Sequence, residues 1–546
     1  MENNTTNITT ERRRRTPEEI ARRKAAQKRK QIQHYVLLGI CLLMLIVQIS
    51  ALVAIGRLGM VPGFLMFLLI VIFLGYDCLT GYFMFLRGKK VPKKMAKKVS
   101  QKRKLTACIL ALVMIIGCMV VSTVANDVRK TIESVQAAPA DVEAEVGVTR
   151  NVYVRSFDMA QTLADAKDYS FGILAGYDDE CTKQAVDAIE AELGAAIQTK
   201  SYLSVFEMAN DLMAGKLDAM ILKNGFISIL EGDSRYEMFS DNTRVLAEVQ
   251  IEGSAQELDG SGLLLNAEGD IAENGKLKPF VMYISGSDSR QGTLDGNTRS
   301  DVNILAVVNP ETRQVLLLNT PRDFYVPMPL VEGAYDKLTH CGVYGIKCSM
   351  GALAALYDCD VKYYAQLNFE GFEKLVDAIG GITVNSNVEF TLYRNAGKIK
   401  VGENNLDGKK ALAFARTRKG LDGGDLDRGK NQMKVIKAIV DKATSGTTIV
   451  SNYSAIMQSI DGMFVMNIPS TLIGEVVKRQ LSDMSGWNIM SFSVKGTSEN
   501  LECYSAPGEL LYAIKPGEKY ISKASELIQS VLAGEILTEA MVAMSA

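Results

Sequence analysis

The sequence predicts an α/β protein that is attached to a membrane by three helices near its amino terminus. Three apolar segments, residues 35–55, 62–86 and 105–125, are each long enough to cross a bilayer as a helix. After them, short runs rich in aliphatic and β-branched residues alternate with amphipathic helical segments, an arrangement typical of α/β domains. A chain of 546 residues is long enough for more than one such domain.

The charges that flank the apolar segments predict how the chain is oriented in the membrane. Residues 1–34 form a basic tail, and residues 87–104 carry ten positive charges and no negative one. The connection between the first two spans holds only Arg57. Because basic segments remain on the cytoplasmic side, we expect a multi-pass cell-membrane protein with a cytoplasmic tail and a cytoplasmic 87–104 loop. The chain beyond about residue 126 is then extracellular.

The distribution of charge argues against one class of partner. Residues 1–104 hold 21 Lys and Arg against 5 Asp and Glu, so the rest of the chain holds 40 against 57 and is acidic. An acidic body does not attract nucleic acid through its overall field. We therefore expect a lipid membrane, and no nucleic acid, among the partners.

Asp77 is the only charged residue of the second apolar segment. Carboxylates within a membrane span are costly, and they are either paired with polar groups or take part in proton transfer. Because Asp77 lies toward the cytoplasmic end, we expect a structural role, paired or hydrated, in preference to a proton relay.

The extracellular part divides into three regions by pattern. Residues 126–150 lack a clear period and are interpreted as a linker, and residues 151–275 as a small accessory α/β domain. No metal-binding or phosphate-binding cluster is evident in this domain, so we expect it to modulate activity and not to catalyse. Residues 276–546 form the last domain, which contains two clusters of charged residues.

The first cluster lies at the ends of three predicted strands, residues 281–284, 302–308 and 315–318. Charged residues lie at the strand ends, namely Asp288, Arg290, Arg299, Asp301, Arg322 and Asp323. Carboxylates supply hard oxygen ligands to Mg²⁺, and the guanidinium fork binds phosphate oxygens in pairs. Each charge alone is explained by solvation of a loop end. Their grouping favours a site for a divalent cation and a phosphorylated ligand.

The second cluster occupies residues 407–443. Arg416 and Arg418 are two residues apart, so on an extended segment their side chains would face the same way. A glycine-rich turn follows, and then a predicted helix in which Arg428 and Gln432 are i,i+4 neighbours on one face.

Other reactive residue types are expected to have structural roles. No Ser or Cys nucleophile with an orienting acid is readable near His340, so we interpret it as a structural histidine. The nine cysteines include no Cys-x-x-Cys pair, and neither a disulfide framework nor a zinc site is predicted, although one isolated disulfide remains open. Arg313 is expected on a solvated turn.

The segments GSDSR, RSD, NTPRD, ARTR and DRGKNQ, in this order, resemble those of the LytR-CpsA-Psr family. The resemblance runs from about residue 278 to about residue 535. The three spans and the additional domain resemble the capsule-type branch of that family. NTPRD replaces the commoner SIPRD, and KLTHCGVYG replaces a KINxAY-like segment, without loss of a charged group.

The resemblance implies a three-layer α/β/α domain with a central mixed sheet, which faces the cell wall of Gram-positive bacteria. It also implies a phosphotransferase that moves a glycopolymer (capsule, teichoic acid or similar) from polyprenyl pyrophosphate to a peptidoglycan acceptor. Two other functions use the same groups, a non-enzymatic regulator that binds polyprenyl phosphates and a hydrolase of the lipid pyrophosphate. The polymer, the acceptor position and the general base stay open.

The resemblance also assigns roles to residues. Asp288 and Asp301 would hold Mg²⁺. The pyrophosphate would be bound by Arg299, Arg322, Arg416, Arg418, Arg428 and Gln432. Because preorganised guanidiniums can neutralise the charge that develops on a leaving phosphate, we expect Arg322, Arg416 and Arg418 to be catalytic.

Overall fold

The computed structural model describes residues 17–85, 93–137, 148–176, 179–251, 276–287, 298–421, 424–444, 463–483 and 485–544. The chain forms two compact units, Met1–Asp127 and Val128–Ala546.

The first unit consists of long helices, α1 (Pro17–Leu58), α2 (Gly63–Phe85) and the greater part of α3 (Lys93–Ala137). Each has an apolar stretch long enough to cross a membrane, as the sequence predicts for these three segments. Leu37, Met44 and Ala107 lie in one buried cluster that joins the helices. Gln48 Nε2 of α1 donates a 3.0 Å hydrogen bond to Asp77 Oδ1 of α2, so Asp77 is paired, as expected for a structural role.

The second unit begins with a five-stranded mixed sheet in the order β3-β2-β4-β1-β5. Its strands are β1 (Val148–Arg155), β2 (Ser170–Leu174), β3 (Gln198–Tyr202), β4 (Ala219–Leu222) and β5 (Thr243–Ile251). The helices of this region are α4 (Asp179–Leu193), α5 (Val205–Met213), α6 (Gly225–Leu230) and α7 (Phe239–Asn242). Of the residues interpreted as a linker, 126–137 continue α3, 148–150 begin β1, and the rest lie outside the described residues.

The two faces of this sheet are covered differently. Buried residues of α4 such as Ile189 pack on one face and close a separate small core. On the other face, α5 and α6 belong to a cluster that continues into the C-terminal part of the chain. The rings of Phe226 and Tyr344 meet edge to face there, with 6.0 Å between their centres. The accessory region and the C-terminal region therefore share a hydrophobic core.

The remaining strands are β6 (Phe280–Ser287), β7 (Ser300–Asn309), β8 (Gln314–Asn319), β9 (Tyr325–Pro327), β10 (Tyr335–Lys337), β11 (Tyr363–Asn368), β12 (Ile382–Ser386), β13 (Phe390–Thr391), β14 (Lys398–Ile399), β15 (Gly402–Leu406), β16 (Phe464–Met466), β17 (Asn488–Ser493), β18 (Gly496–Cys503) and β19 (Ala506–Pro516). The remaining helices are α8 (Leu338–Cys341), α9 (Ile346–Tyr357), α10 (Phe369–Ala378), α11 (Gly408–Arg416), α12 (Asp425–Thr444), α13 (Ser470–Asp483), α14 (Glu518–Ala533) and α15 (Glu539–Val542).

Six of these strands form the central sheet, in the order β16-β11-β6-β7-β8-β17. The pairs β11–β6 and β8–β17 are parallel and the others are antiparallel. Alternate side chains of β7 lie on opposite faces of the central sheet, because successive residues of a strand point to opposite sides. Leu305 joins the core that contains Leu353 of α9 and Leu527 of α14, whereas Ile304 packs in a cluster with Met433 of α12. This is the expected three-layer α/β/α arrangement with a mixed sheet.

His340 is buried, as expected for a structural histidine. Its Nδ1 lies 2.8 Å from Asp336 Oδ1 and 2.9 Å from Ser505 Oγ, so both partners share one ring nitrogen. Burial lowers the pKa of His340 despite the opposing charge of Asp336. All nine cysteines are free thiols.

Arg313 lies on a turn, as predicted, but its side chain is half-buried and not simply solvated. It lies between β7 and β8 with a positive φ of 51°. Its Nη1 donates to Gln480 Oε1 at 2.7 Å and its Nη2 to the carbonyl oxygen of Arg479 at 2.9 Å. The side chain therefore fixes α13 to the sheet.

Candidate functional site

The topology of the central sheet brings the predicted strand-end residues together. Ser287 at the end of β6 pairs with Ser300 at the start of β7, and Asn319 at the end of β8 pairs with Ile304 of β7. The parallel partner β11 also ends at this edge. Residues just outside these ends therefore surround one space beyond the edge of the sheet.

This space is a cavity of about 920 Å³. Six arginines line it, namely Arg299, Arg322, Arg394, Arg416, Arg418 and Arg428. Asp301 and Gln432 line it as well. The structure thus brings together every predicted pyrophosphate-binding residue and one of the two predicted metal ligands. The other, Asp288, lies outside the described residues.

Asp301 is held as a carboxylate by its neighbours. Arg322 Nη1 donates to Asp301 Oδ1 at 2.8 Å, and Arg322 Nε lies 3.4 Å from Asp323 Oδ2. Burial of Asp301 raises its pKa, but the charges of Arg322 and Arg299 outweigh that effect, and the pKa is lowered overall. Asp301 therefore stays ionised at neutral pH and orients Arg322 from one side.

The donor chemistry of Asp301 suits Mg²⁺, because a carboxylate is a hard oxygen ligand. No group of three or more His, Cys, Asp or Glu side chains that could hold a metal ion occurs in the described part of the chain. Mg²⁺ keeps several waters and takes phosphate oxygens as ligands, so it needs few carboxylates from the protein. Asp301 therefore fits a magnesium site that a phosphorylated ligand completes.

Arg416 lies close to two aromatic rings. Its guanidinium carbon lies 4.2 Å from the centre of the Phe369 ring and 4.9 Å from that of Tyr393, within the range of cation–π attraction. The expectation that Arg416 and Arg418 share an extended segment is wrong, since Arg416 is the last residue of α11 and the extended backbone begins at Thr417. Both arginines nevertheless line the cavity.

Arg428 and Gln432 reach the cavity from one face of α12, as the i,i+4 spacing predicts. Both are nearly buried, and Gln432 Nε2 lies 3.4 Å from the carbonyl oxygen of Ala415. Between them, Gly429 packs against the end of β8. A Cβ at position 429 would lie 2.1 Å from Asn319 Nδ2, so the absence of a side chain allows the helix to approach the sheet.

Four further lining residues, Glu237, Phe369, Tyr393 and Arg394, are missed by sequence reasoning. Phe369 directly follows β11. A search of strand ends for aromatic as well as charged residues would have identified it. Glu237 has no comparable signal. It belongs to the accessory region and reaches the cavity only through tertiary packing.

Comparison with known proteins identifies relatives. The LytR_cpsA_psr family model matches residues 247–515. TagU of Enterococcus faecalis, a polyisoprenyl-teichoic acid–peptidoglycan teichoic acid transferase, is 34% identical over 184 residues, which are 34% of this chain and 59% of that relative. The transferase of the same name from Bacillus subtilis is 32% identical over 234 residues, 43% of this chain and 70% of the relative.

Solved structures were compared as well. The crystal structure of B. subtilis TagU matches with 25% identity and a TM-score of 0.37, covering 48% of this chain and all of that one. The identity to the B. subtilis relative extends over more than two thirds of its length. The family model includes every segment that lines the cavity except the one that carries Glu237. The chain therefore belongs to the LytR_cpsA_psr family.

Proposed function

We propose that this protein is a Mg²⁺-dependent phosphotransferase that attaches a polyprenyl-pyrophosphate-linked glycopolymer to peptidoglycan. The observation that carries the proposal is the convergence of six arginines and Asp301 on one cavity. The names of the relatives, which are teichoic acid transferases, support the same class of reaction. The polymer is then a teichoic acid, a capsule polysaccharide or a similar glycan.

The arginines account for recognition of the donor. A pyrophosphate presents several anionic oxygens, and guanidinium forks bind such oxygens in pairs. The positive charges of the arginines on one cavity repel one another, so a cluster of this kind is costly without an anionic ligand. The ring-held Arg416 is oriented before a ligand arrives.

The same groups account for the chemistry. The acceptor hydroxyl oxygen forms a bond with the phosphorus that carries the glycan, and the bridging P–O bond breaks to release polyprenyl phosphate. Charge develops on the leaving phosphate, where preorganised guanidiniums stabilise it.

Asp301, together with Asp288, would hold the Mg²⁺. The ion neutralises phosphate charge when it is bound. Asp301 in addition orients Arg322 through the 2.8 Å hydrogen bond. Residues 276–546 would form the catalytic domain, on the outer side of the membrane where the wall acceptor is.

The test is product analysis. Full-length protein in detergent is incubated with Mg²⁺, a synthetic polyprenyl-pyrophosphate-linked glycan and peptidoglycan fragments, and the products are identified by mass spectrometry. A glycan joined to the wall fragment through a phosphodiester supports the proposal. Free glycan phosphate identifies a hydrolase, and an unchanged donor with measurable affinity identifies a binder.

Matched variants show whether the cavity is responsible. Removal of one preorganised contact to a developing charge typically lowers the rate by about 10²–10³-fold, and we expect losses of that order for Arg322→Ala and Arg418→Ala. Lys400 is exposed and is not among the residues that line the cavity, so Lys400→Ala should transfer at the wild-type rate. Equal effects of all three substitutions would refute the proposal.

A further inference from the structure

One wall of the cavity comes from the accessory region. Glu237 lines the cavity together with the arginines of the C-terminal region. Its side chain is exposed, and its carboxylate has no hydrogen bond or ion pair with any residue that the structure describes. A carboxylate without a partner beside several guanidiniums is available to a ligand.

The segment that carries Glu237 is firmly anchored. Tyr236 and Phe239 on either side are buried in the shared core, and the Tyr236 hydroxyl lies 2.6 Å from Asn210 Oδ1. Arg235 forms ion pairs with Asp233 and, at 2.9 Å, with Glu509 of the C-terminal hairpin. Glu237 therefore has a fixed backbone position relative to the cavity.

The same segment contacts a residue of the phosphate-binding cluster. A Cβ at Gly232 would lie 3.1 Å from Arg299 Nη1, so the guanidinium packs directly against this backbone. A phosphate bound by Arg299 would consequently lie next to the segment that ends in Glu237. The carboxylate of Glu237 lines the same cavity as the arginines that would bind the phosphates.

We propose that Glu237 is the general base of the transfer, an inference that rests on the proposed function. It departs from the expectation that residues 151–275 do not catalyse, because one residue of that region would then take part in the reaction. The acceptor hydroxyl oxygen forms its bond to phosphorus while its proton passes to a carboxylate oxygen of Glu237. The bridging P–O bond breaks, and its electron pair leaves with polyprenyl phosphate. The protonated Glu237 then returns the proton to solvent.

Asp301 is the other described carboxylate that lines the cavity. Its Oδ1 already accepts a hydrogen bond from Arg322. This bond makes Asp301 a poorer proton acceptor than a carboxylate without such a partner. This is why the structure favours Glu237 for the role.

The experiment compares Glu237→Gln with wild type and with Glu192→Gln, all as full-length protein. Glu192 is an exposed residue of α4 in the same region. General base catalysis typically contributes about 10²–10⁴-fold, so we expect Glu237→Gln to lose that much in kcat. Affinity for a short-chain polyprenyl pyrophosphate should be unchanged or higher, because the substitution removes a negative charge near the phosphates. Glu192→Gln should match wild type in both respects.

Chemical rescue separates a base from a structural residue. In Glu237→Ala, added formate should restore part of the transfer rate in proportion to its concentration, and chloride at the same ionic strength should not. A Glu237→Gln rate within twofold of wild type would overturn the inference, as would a loss of pyrophosphate affinity equal to the loss in rate. If wild type and Glu192→Gln both fail to transfer glycan, the proposed function fails and the base with it.

Discussion

The guanidinium of Arg416 lies over the ring of Phe369, with 4.2 Å between its central carbon and the ring centre. Arg416 ends α11 and Phe369 begins α10, so the contact ties two helix ends together at the cavity. The contact also holds the guanidinium of Arg416 at the cavity that it lines.

The first prediction concerns this pair. Lys cannot reproduce a planar fork, so Arg416→Lys should lower kcat by about 10²-fold. Phe369→Leu keeps the apolar contact and removes the ring, which forfeits about 0.5–2 kcal/mol of cation–π attraction and should raise the KM for donor. Phe157, which also has an arginine over its ring but does not line the cavity, provides the control Phe157→Leu. Full activity of Arg416→Lys in steady-state assays would contradict the assigned role.

The second prediction concerns magnesium. Asp288→Ala and Asp301→Ala should each abolish the Mg²⁺-dependent transfer, because Mg²⁺ requires oxygen ligands from the protein in addition to phosphate oxygens. Chelation with EDTA should have the same effect on wild type, reversed by added Mg²⁺. The exposed Asp360 provides the control Asp360→Ala. Undiminished activity in chelator would remove the metal from the mechanism.

The third prediction concerns pH. The pKa of Asp301 is lowered in the folded protein, so the unfolded state binds the proton more readily. The stabilisation from the Asp301–Arg322 pair is therefore complete above the unfolded value of about 3.9. It is lost as the pH falls through the lower folded pKa.

The direction of this pH dependence is checked by denaturant unfolding of wild type and of Asp301→Asn. Hydrogen bonds to charged groups contribute about 1.5–3 kcal/mol, and the difference in unfolding free energy should be of that order and constant between pH 7 and 5. Below about pH 4 it should shrink. A difference that grows on acidification would show that the pKa is raised instead.

The fourth prediction concerns Gly429. Ala is normally favoured over Gly in a helix by about 1 kcal/mol, but a Cβ here would lie 2.1 Å from Asn319 Nδ2. We expect Gly429→Ala to cost about 1–3 kcal/mol as an overpacked site and to displace Arg428 from the cavity. Thermal unfolding and transfer rates measure both effects.

Two comparisons make the Gly429 experiment specific. A Cβ at Gly486 meets nothing within 4 Å, so Gly486→Ala should be neutral. Asn319→Ala combined with Gly429→Ala removes the obstructing amide and should recover part of the lost stability. Equal behaviour of the two glycine variants would show that the approach of α12 to β8 is not close.

The fifth prediction concerns orientation in the membrane. Ten positive charges in residues 87–104 favour a cytoplasmic position for that loop, and three spans then leave the second unit outside. Protease added to cells stripped of their wall should cut beyond residue 126 and spare the amino-terminal tail. Protection of the second unit from the protease would show that the orientation is the opposite one.

The sequence predicted the parts of this molecule that depend on local pattern. Hydropathy alone located the three spans, and runs of β-branched residues located β7 and β8. Charges at the ends of those strands converge because antiparallel neighbours place the start of β7 beside the end of β8. Strand direction alone is therefore enough to predict that Asp301, near the start of β7, lies close to Arg322, just after the end of β8.

The parts that were missed depend on contacts between distant segments. Local pattern places Arg313 on a turn. It does not reveal that α13 packs against that turn and provides the hydrogen-bond partners of the Arg313 side chain. The wall that carries Glu237 is placed by burial of Tyr236 and by the ion pair between Arg235 and Glu509. These partners are far apart in the chain, and no spacing rule connects them.

The core shared by Phe226 and Tyr344 also has a consequence for the order of folding during synthesis. A chain is made from its amino terminus, and regions fold as their partners emerge. Phe226 leaves the ribosome about 120 residues before Tyr344, so the helices α5 and α6 keep an apolar surface uncovered during that interval. The newly made accessory region therefore exposes an apolar surface that chaperones can bind until the later strands and helices have been made.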